Sequence, residues 1–169
     1  MPDAAMIYAI FDSPIGPMLI AGRDDVVHRL AFDGGRTLQK SGWQRDDTAF
    51  AEARSQLTDW FTGARTMLDF PTTPWPDGFL GVVMTEMTAI PFARTCSYGD
   101  IAKTLGGDAR AVGKACGDNP LPLIVPCHRV IGADGSLTGF GGGLPAKRWL
   151  LAHEARIAPQ PGSQADLFA

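Results

Sequence analysis

The sequence of 169 residues is poor in cysteine and tyrosine, with three of the former and two of the latter. The cysteines at positions 96, 116 and 127 are odd in number and lack the close pairing of zinc-binding motifs. This spacing argues against a disulfide framework and against a local metal site. No apolar run approaches the roughly 20 residues that a membrane-spanning helix needs. Hydrophobic residues at 45% and charged residues at 20% are ordinary values for a globular protein and argue against disorder.

The first residues, Met1 to Asp3, lack the basic and apolar regions of a signal peptide. We therefore expect a cytoplasmic protein. We also expect a monomer that does not associate with membranes and needs no cofactor or metal. The net charge of −3 is unevenly divided: residues 1–77 carry 7 Lys/Arg against 11 Asp/Glu, and residues 78–157 carry 8 against 6. The basic excess in the second part is compatible with a nucleic-acid partner but too small to indicate one by itself.

Short apolar segments separated by turns dominate the N-terminal part of the chain. Three of them are typical of an antiparallel meander, namely residues 6–12, 17–22 and 26–32. A helical pattern then runs to Gly63, and the pair Asp47-Thr48 is its expected N-terminal cap. Residues 71–78 contain three prolines, which suppress helix and interior strand alike. We place a domain junction there, so that the chain divides into an N-terminal domain (1–77), a C-terminal domain (78–157) and a flexible tail (158–169).

Helical patterns dominate the C-terminal domain. The predicted helices cover residues 79–90, 98–105, 109–116 and 145–155. Ser97 and Asp108 are the expected N-caps of the two middle helices, and Gly106-Gly107 breaks the chain between them. Two short helices joined by a tight turn are typical of a helix-turn-helix.

The segment Pro126-Cys127-His128-Arg129-Val130 places a thiol beside an imidazole, after an apolar run and the turn Asn119-Pro120. A cysteine becomes a nucleophile as the thiolate, and a neighbouring base or helix N-terminus lowers its pKa. A bare Cys-His pair is more often a buried cysteine with an incidental histidine. The pair therefore needs a wider pattern around it before it indicates chemistry.

That wider pattern resembles the DNA alkyltransferases that repair O6-alkylguanine. The matching segments follow the family's order at near-family spacing: residues 97–98, 109–113, 119–120, 124–131, 139–143 and 147–154. The N-terminal half matches more loosely, chiefly through residues 12–17. The resemblance implies a ribonuclease H-like α/β domain, with an antiparallel sheet and a helix, followed by a mainly α helix-turn-helix catalytic domain of the winged-helix type.

The activity implied is DNA repair. The protein would flip O6-alkylguanine, with O4-alkylthymine as a second candidate base, out of double-stranded DNA and transfer the alkyl group to Cys127. A thiolate suits an in-line displacement, and the thioether product has no leaving group that water displaces easily. We therefore expect each molecule to be consumed in one turnover.

The resemblance also assigns supporting roles. His128 would reach the thiol through a water molecule, with Glu154 orienting the imidazole as in a triad. Tyr98 would help to turn the nucleotide and give a proton to the leaving guanine, and Lys147 would support this site. Taken alone, Glu154 and Lys147 are ordinary solvated helix residues, and Tyr98 is an aromatic residue at the edge of a core.

The second predicted helix of the helix-turn-helix is the expected DNA-reading element. Arg110 would fill the gap that the extruded base leaves. Ala109, Ala111 and Gly113 are small and would allow close approach in the minor groove, where the degenerate base edges give little sequence readout. The resemblance makes Asn119 the hinge between this helix and the cysteine loop. Without that resemblance, Arg110 is a surface arginine and Asn119 an ordinary turn residue.

The predicted substrate pocket consists of Val130 and the flexible loop with Phe140, Gly141 and Gly142. Three departures from the family pattern stand out. The turn at Gly106-Gly107 is about two residues shorter than in many relatives, and Phe140 stands where they often have tyrosine. The zinc site of some relatives is not expected, because His28 matches one ligand but Arg23 occupies a cysteine position.

Two rival functions remain open at this point. A thiol hydrolase would use Cys127, His128 and a carboxylate over many turnovers. A protein that binds the DNA lesion without repairing it would flip the base and recruit other factors, but relatives of that kind lack the cysteine.

Overall fold

The computed structural model describes residues 5–38 and 40–158. These residues form two compact units that divide between Pro74 and Trp75, inside the proline-rich segment. Ala158 apart, the predicted tail lies outside the described residues. Within the described ranges, no helix has both the length and the apolarity needed to cross a bilayer.

The N-terminal unit is built on a four-stranded sheet with the order β3-β2-β1-β4. β1 (Ile7–Phe11), β2 (Met18–Arg23) and β3 (Val26–Ala31) form the predicted meander, with Ala9 opposite Ile20 in the β1–β2 register. The sheet departs from the predicted antiparallel sheet in one strand. β4 (Gln44–Arg45) pairs with β1 in parallel, which makes the sheet mixed. A strand of two exposed residues has no alternation that a sequence pattern could reveal.

α1 (Ala51–Thr62) begins later than the sequence predicts. Its N-cap is Phe50, in the left-handed region at φ 57° and without a side-chain cap. Asp47 was therefore wrongly predicted as a cap: its carboxylate accepts a hydrogen bond from the Ile10 amide at 3.1 Å and pairs with Arg45 at 2.9 Å. One face of α1 is buried, with Leu57, Trp60 and Phe61 in the core of this unit.

The C-terminal unit is mainly helical. Its elements are α2 (Phe79–Thr88), β5 (Cys96–Ser97), α3 (Tyr98–Leu105), α4 (Ala109–Gly117), β6 (Val130–Ile131) and α5 (Leu144–Ile157). β5 and β6 pair in parallel, with Cys96 opposite Val130. This short pairing joins the start of α3 to the chain that follows Cys127.

The helix-turn-helix predictions are confirmed by the local hydrogen bonds. The Ser97 hydroxyl accepts a hydrogen bond from the Asp100 amide at 2.9 Å, and the Asp100 carboxylate accepts one from the Ser97 amide, which completes a capping box. α3 ends at Gly106 in the left-handed region at φ 71°. Asp108 caps α4 by accepting from the Ala111 amide at 2.7 Å. These caps fix where both helices start and hence the turn between them.

Gly81 provides a test of packing in α2. A Cβ atom added at this position would lie 1.8 Å from the Pro76 carbonyl oxygen, so the backbone would have to move. We expect Gly81→Ala to lower the free energy of unfolding by about 1–3 kcal/mol, measured by urea denaturation followed by circular dichroism.

The matched control for this test is Gly99→Ala in α3, where the nearest atom to an added Cβ is the Ser97 hydroxyl at 3.7 Å. Because alanine favours a helix more than glycine does, this variant should be neutral or up to about 1 kcal/mol more stable. Equal stability of the two variants would contradict the close contact at Gly81.

Candidate active site

Cys127 opens a short 3-10 turn, Cys127–Arg129, that leads into β6. Asn119 fixes the approach to this turn: its side-chain amide donates to the Val125 carbonyl at 2.9 Å and accepts from the Leu121 amide at 3.0 Å. The Cys127 amide donates to the same Val125 carbonyl at 2.8 Å. An asparagine can both donate and accept, which is what bracing two points of one loop requires.

The thiol lies at the wall of a cavity of about 510 Å³. Only 7% of Cys127 is exposed. Four segments line the cavity, namely the start of α3, one face of α4, the cysteine turn and the loop before α5: Tyr98, Ala109, Arg110, Gly113, Cys116, Gly117, Cys127, Thr138, Gly139, Phe140 and Gly141. A cavity of this volume falls in the range of small-molecule sites.

A buried carboxylate lies behind the cysteine turn. Glu154 is 1% exposed and its Oε2 lies 2.7 Å from Nε2 of His128, which is itself fully buried. Arg129 reaches the same carboxylate with Nε at 2.9 Å from Oε1 and Nη2 at 2.8 Å from Oε2. The Ala93 amide donates to Oε1 at 3.0 Å. The carboxylate therefore has partners on both oxygens, as a buried charge requires.

The charges of this cluster follow from its contacts. Burial alone would raise the pKa of Glu154, but His128 and Arg129 outweigh that effect and hold it at about 2. Burial lowers the pKa of His128, against the opposing influence of Glu154. At neutral pH the site thus contains an ionised Glu154 and a neutral His128. Because a carboxylate can only accept, the imidazole hydrogen is on Nε2 and the basic nitrogen is Nδ1.

A neighbouring base such as His128 is expected to lower the pKa of the Cys127 thiol, but the environment of the cysteine has the opposite effect. Burial raises the pKa of Cys127, and contacts with Asn119 and Lys147 offset this only in part. Burial raises the pKa of Cys116, which lines the same cavity, to about 12, and the proximity of Cys127 adds to this shift. The resting thiol is therefore protonated at neutral pH, because a closed apolar wall disfavours the anion more than its neighbours favour it.

Lys147 is fully buried, whereas its sequence pattern alone suggests a solvated residue. Its Nζ donates to the carbonyl oxygens of Val130 at 2.6 Å and Thr138 at 3.0 Å, and lies 3.3 Å from the Tyr98 hydroxyl. Burial lowers the pKa of Lys147 and raises that of Tyr98. One cation thus joins β6, the loop before α5 and the first residue of α3.

Comparison with known proteins places this geometry in a family. Residues 6–74 match the ribonuclease-like domain of 6-O-methylguanine DNA methyltransferase, and residues 79–156 match its DNA-binding domain. The chain belongs to the 6-O-methylguanine DNA methyltransferase family. The family resemblance and the fold class predicted from the sequence are thereby confirmed.

Individual relatives match this chain over most of its length. The methylated-DNA–protein-cysteine methyltransferase of Mycolicibacterium paratuberculosis is 45% identical over 90% of this chain and 94% of its own. That of Methanosarcina acetivorans is 41% identical over 88% of this chain and 98% of its own. The crystal structure of Mycobacterium tuberculosis OGT in complex with DNA superposes with a TM-score of 0.84 at 43% identity, covering 96% of this chain and 98% of that one.

All the site residues predicted from the family resemblance lie in the C-terminal unit, and half of them line the cavity. Tyr98, Ala109, Arg110 and Gly113 line the cavity with Cys127, and Phe140 and Gly141 line it from the loop before α5. The other predicted residues are not among its lining residues: Ala111, Asn119, His128, Val130, Gly142, Lys147 and Glu154. Four of these residues are buried and form hydrogen bonds that hold the segments around the cavity in place: Asn119, His128, Lys147 and Glu154.

Four residues of the site were missed by sequence reasoning. Cys116 and Gly117 line the cavity with Ala109 and Gly113. Their spacing along α4 puts them on one helical face, so the helix period could have found them. Thr138 lies in an irregular loop and carries no such signal. Arg129 stands inside the cysteine motif, and its charge among buried residues was a usable sign that it has a buried partner.

The protonated resting thiol can be tested with a small neutral alkylating agent. In a Cys96→Ser, Cys116→Ser variant, the reaction of Cys127 with iodoacetamide should rise with pH beyond 9 without a plateau near neutrality, because the thiolate is the reactive form. The rate can be followed by intact mass spectrometry. A plateau below pH 7 would contradict the raised pKa.

Proposed function

We propose that this protein repairs DNA by transferring the alkyl group of O6-alkylguanine from double-stranded DNA to Cys127, once per molecule. The observation that carries the proposal is the position of Cys127 at the wall of a cavity of about 510 Å³. The next residue in the chain, His128, pairs with the buried Glu154. The names of the relatives, which describe methylated DNA as donor and a protein cysteine as acceptor, support it. O4-alkylthymine is proposed as a second, lesser substrate.

Proton movement in the proposed reaction follows from the charges of the site. The thiol proton passes to Nδ1 of neutral His128 through a water molecule, and the imidazolium is stabilised by ionised Glu154. The sulfur then attacks the alkyl carbon in line, so that the S–C bond forms as the C–O6 bond breaks. Tyr98, which burial keeps protonated, gives its proton to the leaving guanine. Transfer thus leaves an imidazolium at His128, beside ionised Glu154, and a phenolate at Tyr98, beside Lys147 Nζ at 3.3 Å, so that the charges balance.

DNA recognition is proposed for the exposed face of α4. Ala109 and Arg110 are exposed at its start, and Gly113 follows one turn later on the cavity side. Small residues there permit close approach in the minor groove, and Arg110 takes the place of the extruded base. The complex of Mycobacterium tuberculosis OGT with DNA, a relative with the same fold, supports DNA as the partner. We propose that the protein acts as a monomer in the cytoplasm and without a cofactor.

Alkyl transfer to Cys127 can be tested by mass. After incubation with a duplex that contains O6-methylguanine, the protein should gain one methyl group, and peptide mapping should place it on Cys127. Cys127→Ala should bind the methylated duplex and repair none of it.

The control for this experiment is Cys116→Ala, which removes the other cavity thiol and should still be methylated on Cys127. Repeated turnover without a mass change would support the hydrolase alternative. Tight binding of the duplex by the unsubstituted protein, without any adduct, would support a lesion binder.

The role of Arg110 can be tested by comparing two substrates. Arg110→Ala should slow repair of the duplex by about 10- to 100-fold, since extruding a base costs a few kcal/mol. The reaction with free O6-benzylguanine, which needs no extrusion, should change by less than about threefold. Rates are measured by rapid quench with labelled substrates.

Lys114→Ala is the matched control, because it removes one positive charge from the same helix at a side chain paired with Asp118. Its effect on the duplex reaction should be smaller than that of Arg110→Ala. Equal slowing of both substrates by Arg110→Ala would remove the extrusion role.

A further inference from the structure

Arg129 has an unusual set of contacts for a residue next to a proposed catalytic pair. Its side chain is buried, with 7% of the residue exposed. Nε and Nη2 bond both oxygens of Glu154, and Nη1 donates to the Ile90 carbonyl at 2.8 Å. The guanidinium also lies 5.5 Å from the centre of the Phe92 ring. All three nitrogens of the guanidinium are thus hydrogen-bonded, and its two bonds to Glu154 form a bidentate fork.

The guanidinium of Arg129 contacts the same carboxylate oxygen of Glu154 that His128 contacts. Oε2 of Glu154 accepts from Nε2 of His128 at 2.7 Å and from Nη2 of Arg129 at 2.8 Å. Without Arg129 the carboxylate would keep only the single bonds from His128 and from the Ala93 amide, and its terminal torsion is intrinsically broad. Two parallel bonds from a guanidinium fix the plane of the carboxylate and thereby the line along which it meets the imidazole.

We propose that Arg129 is a positioning residue for alkyl transfer, acting through Glu154: its fork holds that carboxylate ionised and oriented, and the carboxylate keeps His128 in the tautomer that can accept the thiol proton. The inference rests on the proposed function, because it assigns His128 the proton of Cys127. Arg129 is not among the cavity-lining residues, so its influence reaches the thiol through the Glu154–His128 pair and not through contact with the substrate.

The groups that contact Glu154 and His128 determine how the rate of alkyl transfer depends on pH. Within the described residues, Glu154 is met by His128 and Arg129 from the cysteine turn and by the Ala93 amide from the loop after α2. His128 is influenced by Glu154, Arg129 and Lys147, the last from α5. The positive charge of Arg129 lowers the pKa of both Glu154 and His128. Its removal must therefore raise both values and shift the loss of activity in acid to higher pH.

The test uses the full chain with four variants: Arg129→Gln, Arg129→Lys, Glu154→Gln and the double variant Arg129→Gln, Glu154→Gln. Because each molecule reacts once, the final extent of methylation counts the competent molecules, and the time course gives their rate. A purely structural role lowers the extent. A positioning role lowers the rate of the molecules that react and shifts its pH profile.

For Arg129→Gln we expect a rate at least tenfold lower and an acid limb about one pH unit higher. Loss of the positive charge raises the pKa of His128, whose protonation stops the reaction, and a nearby charge typically shifts a pKa by about one unit or more. Arg129→Lys retains the charge but not the fork, so its rate should fall several-fold with a smaller shift of the limb. In the Glu154→Gln background, Arg129→Gln should slow the reaction by less than about twofold further, because its route of action is already removed.

The outcomes separate this inference from the proposed function. If the unsubstituted protein transfers the methyl group, but the reacting molecules of Arg129→Lys or Arg129→Gln keep its rate and acid limb, the positioning role is overturned. Rate losses that multiply independently in the double variant would overturn it as well. Arg129→Lys keeps the test decisive if the glutamine variant does not fold. Absence of transfer by the unsubstituted protein would instead refute the proposed function.

Discussion

The buried carboxylate of Glu154 is the interaction on which the rest of the site depends. An ionised group that is 1% exposed is tolerated only with full hydrogen bonding. Its partners come from the cysteine turn and from the loop after α2, while Glu154 itself belongs to α5. Removing one partner of such a pair typically costs about 3–5 kcal/mol, because the other charge stays buried. One charge thereby locks three parts of the chain into the geometry that presents Cys127 to the cavity.

Burial of the sulfur has a chemical consequence. A thiolate held permanently near the surface would react with soluble electrophiles, whereas the raised pKa of Cys127 keeps the resting thiol neutral. Neutral His128, braced by Glu154, remains available as the proton acceptor. In the proposed reaction, an alkylated base that fills the cavity excludes bulk water and meets the sulfur of Cys127, while His128, which does not line the cavity, takes the thiol proton. Selectivity then comes from access to the cavity and not from a permanently activated nucleophile.

Within the C-terminal unit, α4 takes part both in the proposed DNA contact and in the wall of the cavity. Its start is exposed, while Gly113, Cys116 and Gly117 continue along the same helix as part of the cavity wall. The helix that would approach DNA is therefore also the helix that shapes the base pocket. Asn119 follows directly after α4 and braces the chain toward Cys127.

Local sequence signals determined the capped helices α3 and α4, the turn between them and the meander of β1 to β3, because caps, glycines and alternating side chains act over a few residues. The family resemblance located Cys127 and its expected neighbours. Tertiary structure alone decided the parallel pairing of β4 and the late start of α1. It also decided the fork between Arg129 and Glu154, which are 25 residues apart, and the raised pKa of the thiol. These features depend on contacts and shared burial between groups that are far apart in the sequence. No local sequence pattern encodes such contacts.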